Sequence, residues 1–244
     1  MKAFTLLELS ISLIIIALIT GSIVSGEYLY KQYLLRTVIN ESNYYKSAIN
    51  SFKLQYGQLP GDFNGASNIW PTCDATPANC NGNNNGVILI SAASQYADEA
   101  LRAWQHLYLA GFIDQKMSGY HNVASTNTIG TNVPSSKFPG AGWHMQYINT
   151  ACATFVYLVI GGYIPTTYNN APVMTPLQAL SIDQKIDDGF PLTGKVTATR
   201  TDATVGCFGG YPVGQTCVTA VAGIYNNVAP YYKQVHCPIS FSYY

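Results

Sequence analysis

The run Phe4-Thr5-Leu6-Leu7-Glu8-Leu9-Ser10-Ile11-Ser12-Leu13-Ile14-Ile15-Ile16, which continues to Gly26 with no further charge, decides how this chain is read. Its 23 residues, at about 1.5 Å each in a helix, reach ~35 Å and exceed the ~30 Å hydrocarbon core of a bilayer. The segment can therefore span a membrane once. Its one carboxylate, Glu8, is hard to reconcile with a passive anchor. A bare carboxylate in lipid costs a few kcal/mol, roughly 2.5–3.5 at a helix centre and less near the interface, so Glu8 needs a partner. Lys2 before the run and Glu27, Lys31 and Arg36 after it give only a weak charge signal for a cytoplasmic amino terminus. Two blander readings compete. One is a secretory signal peptide cut near Ser25 or Gly26, in whose core an acid at position 8 fits poorly. The other is a Glu8 that merely reaches up to the headgroups.

Working outward, the helix is predicted to continue to about Tyr56, because Leu34, Val38, Ser42, Tyr45, Ile49, Phe52 and Tyr56 recur at steps of three and four and form one stripe for packing. Gly57 and Pro60 end it. Thr20, Gly21, Ser25 and Gly26 weaken it midway, each glycine by ~1 kcal/mol relative to Ala. Residues 57–90 read as an irregular loop rich in Asn, Gly and Pro. A second helix is predicted over 94–111, with Ala97, Ala100, Trp104, Leu107 and Gly111 on one face and Asp98 and Glu99 in its first turn. Strand-like runs occupy 145–148, 153–160, 195–205, 217–225 and 235–243, with a short helix over 175–186 between them. The expected class is α+β: a long amino-terminal helix, membrane-spanning over 4–26 and amphipathic over 27–56, packed on a mostly antiparallel sheet in an exposed domain over 57–244.

Lys2-Ala3 followed by Phe4-Thr5-Leu6-Leu7-Glu8-Leu9 resembles the class III signal of type IV pilins and type II secretion pseudopilins. The resemblance implies that residues 1–3 are a leader, that a prepilin peptidase cuts between Ala3 and Phe4, and that the new amine is methylated. The family normally has Gly before the cut. Ala3 is small enough for a tight subsite, so processing is expected, and the sequence leaves its rate open. The resemblance also assigns assembly to Phe4, Thr5 and Glu8, the Glu8 carboxylate neutralising the amino-terminal charge of a neighbouring subunit. Implied partners are other pilin-like subunits, an inner-membrane assembly platform and the membrane. The implied location is the inner membrane of a Gram-negative bacterium with the domain in the periplasm, then a filament. Segments 57–62, 102–107 and 182–189 are similar to parts of large prepilin-like proteins, and the size points to a minor subunit. Secretion, retractile-pilus and DNA-uptake machines share this anchor.

Of 244 residues only 10% are charged and the net charge is zero, which argues against nucleic acid captured by charge. With 48% hydrophobic and 13% aromatic residues, the composition suits a subunit packed among copies or partners. Six cysteines behind a translocated anchor read as disulfides. The first choice is two local pairs, Cys73–Cys80 and Cys207–Cys217, which leaves Cys152 with Cys237, although spacing alone excludes none of the other connectivities. Zinc fits poorly, because there is no Cys-x-x-Cys and the four histidines are scattered.

Calcium has two candidate sites. Asn81, Asn83 and Asn85, followed by Gly86 and Ile88, copy the start of a calcium loop. Its twelfth position is Ala92 rather than an acid, so Asp98 or Glu99 would have to fold in. A solvated Asn/Gly turn explains the same residues. Asp183, Asp187 and Asp188 form the second candidate, for which helix termination before Gly189 with carboxylates facing water is the competing account. His106, His121, His144 and His236 lie in no nucleophile-elbow or papain-like motif, so no enzyme is expected. The function expected is assembly of a pilin-like or pseudopilin-like filament. The alternative is a membrane-anchored periplasmic binding module or adhesin that never polymerises, and processing at Phe4 separates the two.

Overall fold

The computed structural model describes residues 5–89, 98–120, 127–150, 153–164, 169, 171–198, 217–219, 224–227 and 233–243. Ala3, Phe4, Cys152, Cys207, Ala92, His121, residues 94–97 of the expected second helix and residues 199–205 of an expected strand lie outside them.

Helix α1 runs over Leu6–Tyr56, 51 residues, or about 76 Å at ~1.5 Å per residue. It ends where the sequence expects it to, at Gly57, whose φ of 74° is open to a residue without Cβ and whose N–H donates to the Lys53 carbonyl. Its second half follows the expected stripe: Leu34, Val38, Ser42, Tyr45, Ile49 and Phe52 are buried, with Leu35, Thr37 and Ala48 beside them. Burial begins only at Leu34; Tyr28, Leu29, Tyr30 and Tyr33 remain exposed.

From Gly57 to Leu89 the chain is irregular except for α2 (Ala66–Ile69) and a 3₁₀ turn (Pro77–Cys80). Helix α3 covers Glu99–Leu109. Asp98 sits just before it as the N-cap, its carboxylate accepting from the Ala100 and Leu101 amides, so Asp98 caps the helix rather than occupying its first turn. Strands β1 (Ala141–Thr150) and β2 (Ala153–Gly162) pair in register from Ala141↔Gly162 to Thr150↔Ala153. Helix α4 (Pro176–Ile186) starts with a capping box in which Thr175 and Gln178 satisfy each other's amides. Strands β3 (Val196–Ala198) and β4 (Ile239–Ser242) complete an antiparallel sheet of order β1-β2-β4-β3. Of the run expected as a strand at 217–225, residues 217–219 and 224–225 are described, and they meet in an isolated Val218↔Tyr225 bridge.

The fold is thus α+β, a long apolar amino-terminal helix with a small four-stranded antiparallel sheet. One sheet face carries two cross-strand rows, Trp143, Ile160, Ile239 and Ala198 in one and Met145, Leu158, Phe241 and Val196 in the other, all of them buried. The strand period of two produces these rows. Tyr45 of α1 ties the layers together: its ring centroid lies 4.9 Å from Trp104 of α3 and 5.7 Å from Trp143 of β1, and Trp143 lies 5.6 Å from Phe241. Burying each such side chain stabilises the fold by about 1.5–3 kcal/mol.

The 57–89 segment is held by buried polar groups that its loop-like sequence does not announce. His106 of α3 accepts the Gly61 N–H at Nδ1 (3.0 Å) and donates from Nε2 to the Cys80 carbonyl (2.9 Å), and its ring stacks on Phe52. Burial pulls His106 down to about 4, so it works as a neutral two-ended linker. Gly61, at φ 84°, is pressed against α3 so closely that a Cβ would overlap the Glu99 carbonyl. Arg102 pairs with Asp74 at 2.5 Å, both nearly inaccessible, and also donates to Gln105.

The Cys73–Cys80 disulfide closes this segment. The other expected pairings do not form. Cys217 is bonded to Cys237 with 5.0 Å between their Cα atoms, which overturns both Cys207–Cys217 and Cys152–Cys237. Cys237 is fixed by its bridge to Met174, and Cys217 by the Asn226 amide bonded to its carbonyl.

Candidate assembly and metal-binding sites

Among the described residues, the first half of α1 carries the longest run of exposed large apolar side chains. From Leu6 to Val24 its large apolar side chains are exposed, Leu6 at 88% and Val24 at 70%, and it is the one described helix long and apolar enough to cross a membrane. Its hydroxyls suit that environment. Ser10, Ser12, Thr20, Ser22 and Ser25 each donate to a carbonyl three or four residues back, at 2.8–3.0 Å. No hydroxyl between Leu6 and Gly26 is left to seek water, as a hydrocarbon surround requires. α1 stays helical through Gly21 and Gly26.

Thr5 and Glu8 form a capping box at the helix entry. The Thr5 amide and hydroxyl donate to Glu8 Oε2 at 2.8 and 2.9 Å, and the Glu8 amide donates to Thr5 Oγ1 at 3.2 Å. The Thr-x-x-Glu spacing is a sequence signal for this motif, though the Glu8 carboxylate reads first as a charge needing an outside partner. Only one of its oxygens is used this way. Oε1 makes no hydrogen bond among the described residues.

The Asn loop is organised by two carboxylates, Glu99, which the calcium reading required to fold in, and Asp62, which the sequence reading did not single out. Asp62 accepts the Asn85 and Gly86 amides, both at 2.9 Å, and Glu99 accepts the Asn83 and Leu89 amides at 3.3 and 2.9 Å. Asn83 and Asn85 turn their own oxygens onto the amides two residues on, and Asn81 is engaged by Ser67 at both ends of its amide. Glu99 folds in as the calcium reading requires, but as a clamp on backbone N–H groups. Burial, reinforced by the charges of Asp62 and Asp98, pushes its carboxyl above the usual range against the pull of the Leu89 and Asn83 amides.

Asp183, Asp187 and Asp188 do converge. Ligand atoms of the three lie within 4.8 Å of one another, a hard-oxygen set of the kind calcium takes. They are already well supplied with donors. Asp183 accepts the Gly189 amide (2.9 Å) and the Tyr225 hydroxyl (2.8 Å); Asp187 accepts the Lys195 and Val196 amides; Asp188 accepts the Phe190 amide and the Thr193 hydroxyl. Asp183 does not face water, contrary to the helix-termination account. It is fully buried, because the last turn of α4 lies under Tyr225. Burial pushes its carboxyl up to about 6, with the charges of Asp187 and Asp188 adding to the effect and the Tyr225 and Gly189 donors opposing it.

Ala3 and Phe4, the expected processing pair, precede the described residues. What the fold defines is an α+β protein carrying one uncovered, membrane-length helix. Comparison with protein-family models, curated proteins and solved structures returns no match.

Proposed function

We propose that this chain is a structural subunit, of the pilin or pseudopilin kind and a minor one by size, processed between Ala3 and Phe4 and assembled through α1 into a helical filament. The observation that carries this reading is the split character of α1. One continuous helix is uncovered and apolar over its first half, and in its second half it supplies the stripe on which α3 and the sheet pack. A force or register imposed on the membrane half is thereby delivered to the exposed domain. Glu8 caps its own helix through Oε2, and its unused oxygen offers a carboxylate to an incoming amine in a medium where two opposite charges favour each other strongly.

The test is Glu8→Ala. Removing the carboxylate eases membrane insertion and deprives the neighbouring amine of its partner, so the two effects have opposite signs. At matched membrane abundance the variant should enter sheared filaments several-fold less than wild type. Equal incorporation would mean that Glu8 only caps its own helix, and a chain that is membrane-bound yet absent from filaments would favour the binding-module reading.

A further inference from the structure

Beside the middle of α1 lies an open cleft of about 570 Å³. One long wall is the helix itself, where Tyr33, Thr37, Asn40, Glu41 and Tyr44 recur at steps of four, three, one and three and so share a face. Loops around Asp114 and Lys137 make the other wall. The eleven-residue step from Tyr33 to Tyr44 spans about 16 Å along the axis. The cleft is therefore a trough with an aromatic ring towards each end and polar groups between.

The trough is already braced by the fold. Tyr33 stacks on Tyr30 with 6.5 Å between ring centroids, and Tyr44 packs on Tyr45 at 5.3 Å. Glu41 accepts from the Ser136 hydroxyl (2.6 Å), the Lys137 amide (2.9 Å) and the Trp143 indole (2.8 Å), which fixes the middle of the wall. Tyr33 and Tyr44 nevertheless remain 54% and 45% exposed. Asn40 and Asp114 are exposed too, and neither side chain makes a hydrogen bond among the described residues. Charge is balanced. The carboxylates of Glu41 and Asp114 are matched by Lys137 and by Arg36, which is three residues from Tyr33 and four from Asn40 and flanks the trough of its own chain. Nothing in that balance selects an ion.

We propose that this trough binds a short neutral oligosaccharide. A sugar ring has a face of C–H groups and a rim of hydroxyls. The C–H face settles on an aromatic ring, whose negative face attracts the slightly positive hydrogens. The hydroxyls both donate and accept, and a fixed array of amide and carboxylate groups satisfies them. Both needs are met here in one line, with rings towards the ends and Asn40, Glu41 and Asp114 between. The spacing selects a chain of sugars, because a single ring cannot reach both tyrosines. An extended peptide would look for free backbone amides and carbonyls along the wall, and the interior of a helix presents none. This reading goes beyond the filament proposal and does not depend on it.

Isothermal titration calorimetry on the full-length chain, in a detergent without a sugar headgroup, tests it. The probes are neutral tri- and tetrasaccharides of glucose, galactose and N-acetylglucosamine. At least one should bind, with one site per chain. Tyr33→Ala and Tyr44→Ala, both at exposed positions outside the core, should each weaken that probe roughly tenfold, the scale of one lost ring contact. Tyr44→Phe keeps the ring and should stay within about twofold of wild type, as should Tyr28→Ala, which removes an exposed tyrosine outside the trough. The melting temperature of each variant reports that it is folded. Absence of binding by every probe, binding that survives both alanine changes, or a loss in Tyr28→Ala equal to that in Tyr44→Ala would overturn the proposal. Filament incorporation is read separately through Glu8, so either reading can fail alone.

Discussion

Asp183 shows how a single side chain can carry a signature that solution measurements read. Its folded-state value, about 6, lies above its ordinary 3.8, so the folded protein holds this proton more tightly than the unfolded chain does. The stability it lends is therefore complete below the unfolded value and is lost as pH rises through about 6. Asp183→Asn, which keeps the shape and an oxygen for Tyr225 or Gly189, should flatten that loss: between pH 4 and 7 the variant should gain stability relative to wild type as pH rises, measured by chemical denaturation at each pH. A constant difference across the range would mean that Asp183 is solvated. At this scale the sequence was only partly readable. The Asp183, Asp187 and Asp188 cluster was visible as spacing on one helix end, whereas Asp62, Glu41 and His106 were not. Their partners, mostly backbone amides and carbonyls with a hydroxyl and an indole for Glu41, lie 23 to 102 residues away, and no local pattern encodes those.

Among the elements, α1 was the most legible, since a stripe repeated over seven positions and a Gly-Pro stop both report the same helix. The four strands were legible as strand-like runs, but their ends were not: β1 starts at Ala141 rather than 145 and β4 is limited to Ile239–Ser242. What holds α1 to the sheet was not legible. The Glu41 carboxylate gathers three donors from residues 136, 137 and 143 and so fastens helix to strand through a single polar point. Glu41→Ala leaves the buried Trp143 indole N–H without an acceptor and should cost about 2–3 kcal/mol by equilibrium unfolding. A loss below ~0.5 kcal/mol, as for an ordinary surface change, would show that packing around Tyr45 alone sets the angle of α1.

For the whole molecule, the two described disulfides weigh more than either calcium candidate. Cys73–Cys80 and Cys217–Cys237 span 7 and 20 residues, and the chain-entropy relation assigns them about 2.5 and about 3.3 kcal/mol, against a typical net stability of ~5–15 kcal/mol. The calcium candidates already have protein donors on their oxygens. Reductant should therefore lower the melting temperature of the detergent-solubilised chain by on the order of 10 °C, and a calcium chelator should lower it far less. The reverse order would make the Asp183 cluster or the Asn loop a structural metal site. Above these terms stands the claim that α1 exists to assemble, and the amino terminus of the native protein tests it most directly. Intact-mass and amino-terminal peptide analysis should find a chain that begins at Phe4 with a methylated amine. A chain that begins at Met1, or between Ser25 and Glu27, would contradict the filament account.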